Sequence, residues 1–141
     1  MYRNSILAII SVTLLLAACK KEGASTTPID QMQHDSAILV LKGDFNAGPY
    51  GNVTGKAKIY KTGNVYQLKI DTLNTWNGPN LKVLLSKEIQ PINYIDLGSL
   101  QSTMGNQVYN INGTPDFSNY KYALIHCVDY NHLFGWAELQ P

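Results

Sequence analysis

The sequence has few of the residues from which catalytic and metal centres are built. It holds two cysteines, Cys19 and Cys127, and three histidines, His34, His126 and His132. It contains no CxxC, HExxH or Gly-x-Ser-x-Gly motif, and no glycine-rich loop precedes a helical pattern. Because a nucleophile, a base and an orienting group cannot be assembled from these residues, hydrolytic and group-transfer chemistry is disfavoured.

The chain also lacks an excess of charge of either sign. Its 11 basic residues stand against 10 acidic ones, and Arg3 is the one arginine among them. A strongly basic face is the electrostatic footprint of nucleic-acid binding. The near-neutral balance therefore predicts no nucleic acid among the partners of this protein.

The N-terminus has the build of a bacterial export signal. Arg3 precedes an apolar stretch over residues 6–16, which is shorter than the roughly 20 residues of a membrane-spanning helix. The ending Leu16-Ala17-Ala18-Cys19 resembles the lipobox, whose cysteine is diacylated and becomes the first residue of the mature chain. We predict a signal peptide over residues 1–18 and lipidation of Cys19. An uncleaved membrane anchor is the alternative.

Lipidation at Cys19 would tether the protein to a membrane of the bacterial cell envelope. Two acyl chains anchor stably where one does not. The outer membrane is favoured, and both a periplasmic and a surface-facing orientation are open.

Residues 19–35 are mainly small and polar, which predicts a flexible tether. Residues 36–141 are then long enough for one domain.

Beyond Ala37, short runs of Val, Ile, Leu and Tyr alternate with clusters of Gly, Asn and Pro. No window keeps a helical period, so the pattern predicts an all-β fold. We expect an antiparallel β-sandwich of about seven to nine short strands, with a small barrel as the alternative. The predicted strands cover residues 37–45, 55–61, 65–73, 81–86, 107–111, 120–128 and 133–139.

The strand predicted over residues 65–73 alternates clearly. Tyr66, Leu68 and Ile70 share one face of it, while lysine and other polar residues share the opposite face. One face should therefore be buried and the other solvated. The preceding Thr62-Gly63-Asn64 predicts a tight hairpin to the strand before it.

Cys127 is the cysteine that remains once Cys19 carries lipid, so it has no partner for an intramolecular disulfide. Neighbouring side chains of a strand point to opposite faces. If Cys127 faces the core with Ala123 and Ile125, His126 must face away from it. These ligands are too few and too divergent for a structural zinc, which needs four.

Three roles for Cys127 remain open from the residues alone. It is a redox thiol, a haem ligand or a small apolar core residue, as buried cysteines commonly are. One or two axial ligands suffice for a haem, and Cys127, a histidine or Met104 can supply them. No CxxCH motif is present, so such a haem would be bound non-covalently.

An ordered series of motifs resembles the DM-thirteen domain family from about Leu39 to Leu139. The motifs are Gly43-Asp44-Phe45, Gly55-Lys56-Ala57-Lys58-Ile59-Tyr60, Gly78-Pro79-Asn80-Leu81-Lys82-Val83-Leu84-Leu85, Asp96-Leu97-Gly98-Ser99-Leu100, Gly105-Asn106-Gln107-Val108-Tyr109-Asn110-Ile111, Ile125-His126-Cys127 and Phe134-Gly135-Trp136-Ala137-Glu138-Leu139.

The resemblance implies an extracytoplasmic β-sandwich module with a role in electron transfer. The family's characteristic cysteine falls on Cys127, where it implies either a bare redox thiol or a ligand to a prosthetic group such as haem. The family often has an aromatic residue, typically tryptophan, before this cysteine, whereas this chain has His126. A bare thiol would need a redox partner outside the chain, because no second cysteine is present to resolve it.

A different class of function is a non-catalytic binding or adhesion module of the cell envelope. Four aromatic residues fall in or near predicted loops, where recognition sites are common. They are Tyr50, Trp76, Tyr94 and Tyr130. The same residues can instead cap the ends of the core. An envelope lipoprotein with a purely structural role is the third alternative.

Overall fold

The computed structural model describes residues 23–30 and 37–141, and these residues contain strands and no helix. None of them forms a helix that is long and apolar enough to cross a membrane. The predicted lipidation site Cys19 and the histidine His34 lie outside the described residues. The strands are β1 Ile29–Asp30, β2 Ile38–Ala47, β3 Thr54–Thr62, β4 Val65–Asn74, β5 Leu81–Ser86, β6 Tyr94–Ser99, β7 Met104–Ile111, β8 Tyr122–Cys127 and β9 His132–Glu138.

The strands form one folded sheet in the order β1-β7-β4-β3-β2-β9-β8-β5-β6. The pair β1 and β7 is parallel and the other neighbours are antiparallel. The sheet turns at β2, whose first part pairs with β3 and whose last three residues pair with β9. Its two halves therefore face each other and nearly close into a barrel, which confirms the predicted all-β class.

The core lies between the two halves of the sheet. Leu68 and Ile70 of β4 are fully buried there, while Lys69 on the opposite face is partly exposed. This is the alternation that the sequence predicts for β4. The predicted hairpin is confirmed as well, since β3 and β4 are joined by Gly63 and Asn64 alone, with Gly63 at a φ of 59°. A glycine adopts this left-handed conformation without a steric penalty.

Two strands were not predicted from the sequence. Strand β6 is an edge strand with exposed and half-buried residues, so it has no apolar run to reveal it. It also contains Gly98, at a φ of 117°, where the register against β5 shifts. Strand β1 is a two-residue parallel pairing within the segment that we expected to be a tether. Residues 23–30 thus lie against the sheet.

A buried hydrogen-bond network fixes β7 to the loop before it. The Tyr109 hydroxyl donates to Gln107 Oε1 at 2.6 Å and accepts from the Gln101 amide at 3.1 Å. Gln107 Nε2 donates to the Ser102 carbonyl at 2.7 Å. Burial raises the pKa of Tyr109, so the phenol keeps the proton that it donates. Each buried group in this network therefore has a partner.

We expect Tyr109→Phe to lower the free energy of unfolding by about 1–2 kcal/mol, because Gln107 Oε1 loses a buried donor. Urea unfolding followed by circular dichroism measures the change. The matched control is Tyr94→Phe, since Tyr94 is 46% exposed, and its effect should stay within about 0.5 kcal/mol. Equal losses in the two variants would contradict the role assigned to the network.

Candidate functional site: a buried thiol beneath a loop

Cys127 is the last residue of β8, a strand with β5 on one side and β9 on the other. Ala123, Ile125 and Cys127 belong to the main core. Leu124 belongs to a second, smaller apolar cluster with Leu84 and Leu133 on the opposite face. The predicted alternation of β8 is therefore confirmed, and Cys127 and His126 point to opposite faces of the strand.

The Cys127 thiol is closed off from solvent, with a relative exposure of 1%. Its Sγ donates a hydrogen bond to the Pro79 carbonyl at 2.9 Å. This contact holds the thiol by a backbone oxygen of the loop that precedes β5. A backbone acceptor cannot be recognised from a sequence pattern. Sequence reasoning therefore finds Pro79 only as part of the motif over residues 78–85 and not as a contact of the thiol.

The loop over the thiol is latched to the turn between β8 and β9. The Val128 amide donates to the Asn80 carbonyl at 3.2 Å, and Asn80 Nδ2 donates to Asp129 Oδ1 at 2.8 Å. Asn80 has a φ of 48°, a left-handed conformation that asparagine tolerates better than most residues. We call residues 77–80 the covering loop, because their displacement would expose Cys127.

A second layer lies on the covering loop. Gly23 forms an antiparallel bridge with Pro79, and Asn77 Nδ2 donates to the Ala24 carbonyl at 3.2 Å. A groove of about 390 Å³ beside Gly23 and Pro79 and another of about 150 Å³ beside Asn80 flank this contact. Cys127 lines neither of them. The Pro79 contact would therefore have to break before either groove reached the sulfur.

This packing does not fit a haem bound through Cys127. The sulfur is directed at Pro79 and lies within the packed core, beside its cross-strand neighbour Leu81. Because the thiol is buried among packed side chains, a porphyrin has no room beside it, and haem iron would have to replace the Pro79 contact. The described groups also include no cluster of three potential metal ligands.

His126 is buried on the opposite face, with a relative exposure of 4%. Its Nδ1 has no hydrogen-bond partner among the described residues. Burial lowers the pKa of His126, an interaction with Asn131 partly offsets this, and repulsion from His132 adds to it. The imidazole is therefore held in its neutral form. Because His126 points away from Cys127, it cannot act with this thiol in metal binding or proton transfer.

Exposed aromatic side chains lie at both ends of the sheet: Tyr50, Trp76 and Tyr130 near the Cys127 end, and Tyr94 at the opposite end, where it pairs with Ser86. Tyr50 stacks on His132 with ring centroids 3.7 Å apart, and Tyr130 lies 5.8 Å from the same ring. The loops that carry Tyr50 and Trp76 both rest on the Phe134 ring. Tyr50, Trp76 and Tyr130 are at least half exposed, and Tyr94 is 46% exposed. The four predicted loop aromatics are therefore accessible, and they do not fill the core.

The fold and the site together define a small antiparallel β domain with a single buried thiol under a loop. A comparison with known protein families matches residues 44–139 to the family described as Electron transfer DM13. The chain therefore belongs to this family, the DM-thirteen family, and carries its electron-transfer domain. No curated protein and no solved structure matches the chain.

We expect the stability of the protein to fall as the pH drops below the ordinary His126 pKa of 6.5. Because the folded-state pKa is lowered, the unfolded chain binds more protons in this range, which favours unfolding. The contribution of neutral His126 is complete above the unfolded pKa and is lost as the pH falls through the folded one. Urea unfolding between about pH 7.5 and pH 5 measures it.

His126→Phe is the matching variant, because phenylalanine fills the same apolar face without titrating. Its free energy of unfolding should depend less steeply on pH than that of the wild type over the same range. Parallel curves for the two proteins would show that His126 contributes nothing to the pH dependence.

Proposed function

We propose that the protein is a cell-envelope lipoprotein whose DM-thirteen domain carries electrons through Cys127 as a bare thiol. The family match supports the electron-transfer role, and Cys127 is the one cysteine within the matched residues. The observation that carries the proposal is the position of the thiol at the end of β8, under a loop and not in the middle of the strand. A movement of the loop alone would then open the site.

The proposed redox step uses a disulfide of a partner protein as the oxidant. Cys127 loses its proton to water, and its sulfur attacks one sulfur of the partner disulfide. A new S–S bond joins the two proteins, and the second partner sulfur leaves as a thiolate. A thiol of a reduced partner then loses its proton and attacks the first partner's sulfur in the mixed disulfide. A new S–S bond joins the two partners, and Cys127 leaves as a thiolate that takes up a proton, so electrons pass from the reduced partner to the original disulfide. Cys127 needs this outside thiol because the domain has no second cysteine.

Opening of the covering loop is the step that would control this chemistry. A thiolate forms a mixed disulfide only if it is accessible as well as ionised. The loop is held by a few hydrogen bonds at the surface, and such segments open at a lower free energy than core strands do. The Asn80–Asp129 hydrogen bond is the side-chain latch between the covering loop and the following turn.

We expect native Cys127 to react with glutathione disulfide slowly and the Asn80→Gly variant to react several times faster. Glycine accepts the left-handed conformation of residue 80 but removes the bond to Asp129. Mass spectrometry of the intact protein follows the mixed disulfide, and urea unfolding gives the stability of each variant. Cys127→Ser is the unreactive reference, since serine can still donate to Pro79.

Asn112→Gly is the matched control, because Asn112 is exposed in the loop after β7, away from the covering loop. It should leave the reaction rate unchanged. If the rate in every variant simply follows global unfolding, Cys127 is a core residue and the bare-thiol proposal fails. That outcome would favour the second candidate function, a binding module that uses the exposed aromatics around His132.

The lipid anchor would place this end of the domain near a membrane. Cys19 precedes Gly23 by four residues, which span at most about 14 Å when extended. Gly23 in turn pairs with Pro79 above the thiol. We infer that the end of the domain that carries the covering loop and Cys127 faces the membrane surface, so that its redox partner is expected to be another membrane-associated protein of the envelope.

We expect Cys19→Ser to move the protein from the membrane fraction to the soluble fraction of a bacterial host, because the acyl chains attach to this sulfur. Fractionation with immunodetection, together with the mass of the N-terminal peptide, gives the result. Cys127→Ser is the control and should remain in the membrane fraction. Retention of the Cys19→Ser protein in the membrane would point to an uncleaved N-terminal anchor.

A further inference from the structure

A polar groove of about 530 Å³ lies on the outer face of the sheet, where β2, β3 and β9 meet. Alternate residues of β2 separate the two faces: Leu41 and Phe45 are in the core, whereas Lys42, Asp44 and Asn46 are exposed and line the groove. The volume is within the usual range of ligand sites, about 300–1,000 Å³. Cys127 is not among the lining residues.

Trp136 forms the aromatic wall of this groove. It is half-buried on β9, where its ring packs against the second apolar cluster of Leu84, Leu124 and Leu133. The ring of Tyr122 meets it edge-on, with centroids 6.2 Å apart and planes at 76°. One side of the indole is therefore fixed by packing, while the ring still borders the groove. A rigid aromatic surface of this kind loses little entropy when a ligand stacks on it.

Opposite charges are placed side by side along the same groove. Lys56 forms an ion pair and hydrogen bond with Asp44 across β2 and β3. Such a pair offers a cationic donor next to an anionic acceptor. A hydroxyl group can accept from the ammonium and donate to the carboxylate at once, and two neighbouring hydroxyls can bridge the pair.

Lys42 supplies a further positive charge to the groove. No described residue forms an ion pair with it. Its backbone exchanges two hydrogen bonds of 2.8 Å with Gln140, which places the Lys42 ammonium and the Gln140 amide on one face of the groove. An anionic group on the ligand would bind there with a charge-assisted hydrogen bond.

We propose that this groove binds an anionic saccharide. The apolar face of a pyranose ring stacks on Trp136, its hydroxyls bridge the Asp44–Lys56 pair, and its carboxylate binds Lys42. Nucleic acid fits the groove less well, because its binding depends on a strongly basic face, and Asp44 and Glu138 offset the positive charge of the lysines here. A peptide strand has no free edge to pair with, because β2 lies between β3 and β9, and β9 lies between β2 and β8.

Tryptophan fluorescence tests the proposal directly. The sequence has two tryptophans, so the Trp76→Phe variant leaves Trp136 as the single reporter. Titration of this full-length variant with an oligouronate tetrasaccharide should give a saturable change in emission. Adding Lys42→Gln should raise the dissociation constant about fivefold or more, since the charge-assisted hydrogen bond between Lys42 and the uronate carboxylate is lost. Gln140→Ala should raise the dissociation constant less, since its amide is uncharged.

Lys87→Gln is the matched control, because Lys87 lies over the Tyr120 ring and not in the groove. It should leave the dissociation constant unchanged, and circular dichroism verifies the fold of each variant. No saturable change with the oligouronate, or equal binding by Lys42→Gln, would overturn the proposal. An oligoglutamate peptide that binds as tightly as the saccharide would also overturn it, in favour of an acidic peptide ligand.

Discussion

The passage of β2 between the two halves of the sheet is the constraint on which the rest of the structure depends. At Gly43 the strand comes so close to β9 that an added Cβ atom would lie 2.1 Å from the Glu138 carbonyl oxygen. Only glycine allows this approach. Because β2 can cross at this point, Lys42 pairs with Gln140 and the last residues of β2 pair with β9. The pairing of β2 with β9 connects the two halves of the sheet, and the groove beside Trp136 lies on the outer face of this pairing.

The same pairing determines what each face of β8 and β9 can do. Once β9 is paired with β2, it becomes an interior strand, as β8 is between β5 and β9, and β8 is buried on both faces. A thiol in the middle of such a strand would be inaccessible without unfolding. Cys127 is instead the last residue of the strand, where loops and not further sheet provide the cover. The proposed chemistry at this sulfur would therefore require only that the loop open, which costs less free energy than unfolding of the core strands.

The sequence predicted the features that depend on local pattern. The alternation of β4, the hairpin at Gly63 and the opposite orientations of His126 and Cys127 follow from the two-residue period of a strand. Strand β6 escaped prediction because an exposed edge strand has no apolar alternation. The sequence also did not predict the extra residue of β9, which lies at the register shift beside Ile125 and His126. A bulge is defined by pairing between distant segments, which a single sequence does not state.

Both candidate sites depend on contacts of this long-range kind. The carbonyl that accepts from Cys127 belongs to Pro79, 48 positions away in the chain, and the groove combines Lys56 with Trp136 across three strands. The motifs of the family identify the segments that take part, but they do not show which of these segments contact each other. Cys127 faces inward and Trp136 faces outward, with packed side chains of two separate clusters between them. Because no polar network links the two positions in the described residues, a ligand in the groove would hold the domain in place without altering the thiol. The two proposals together would let the domain combine attachment on its outer face with electron transfer at its loop end.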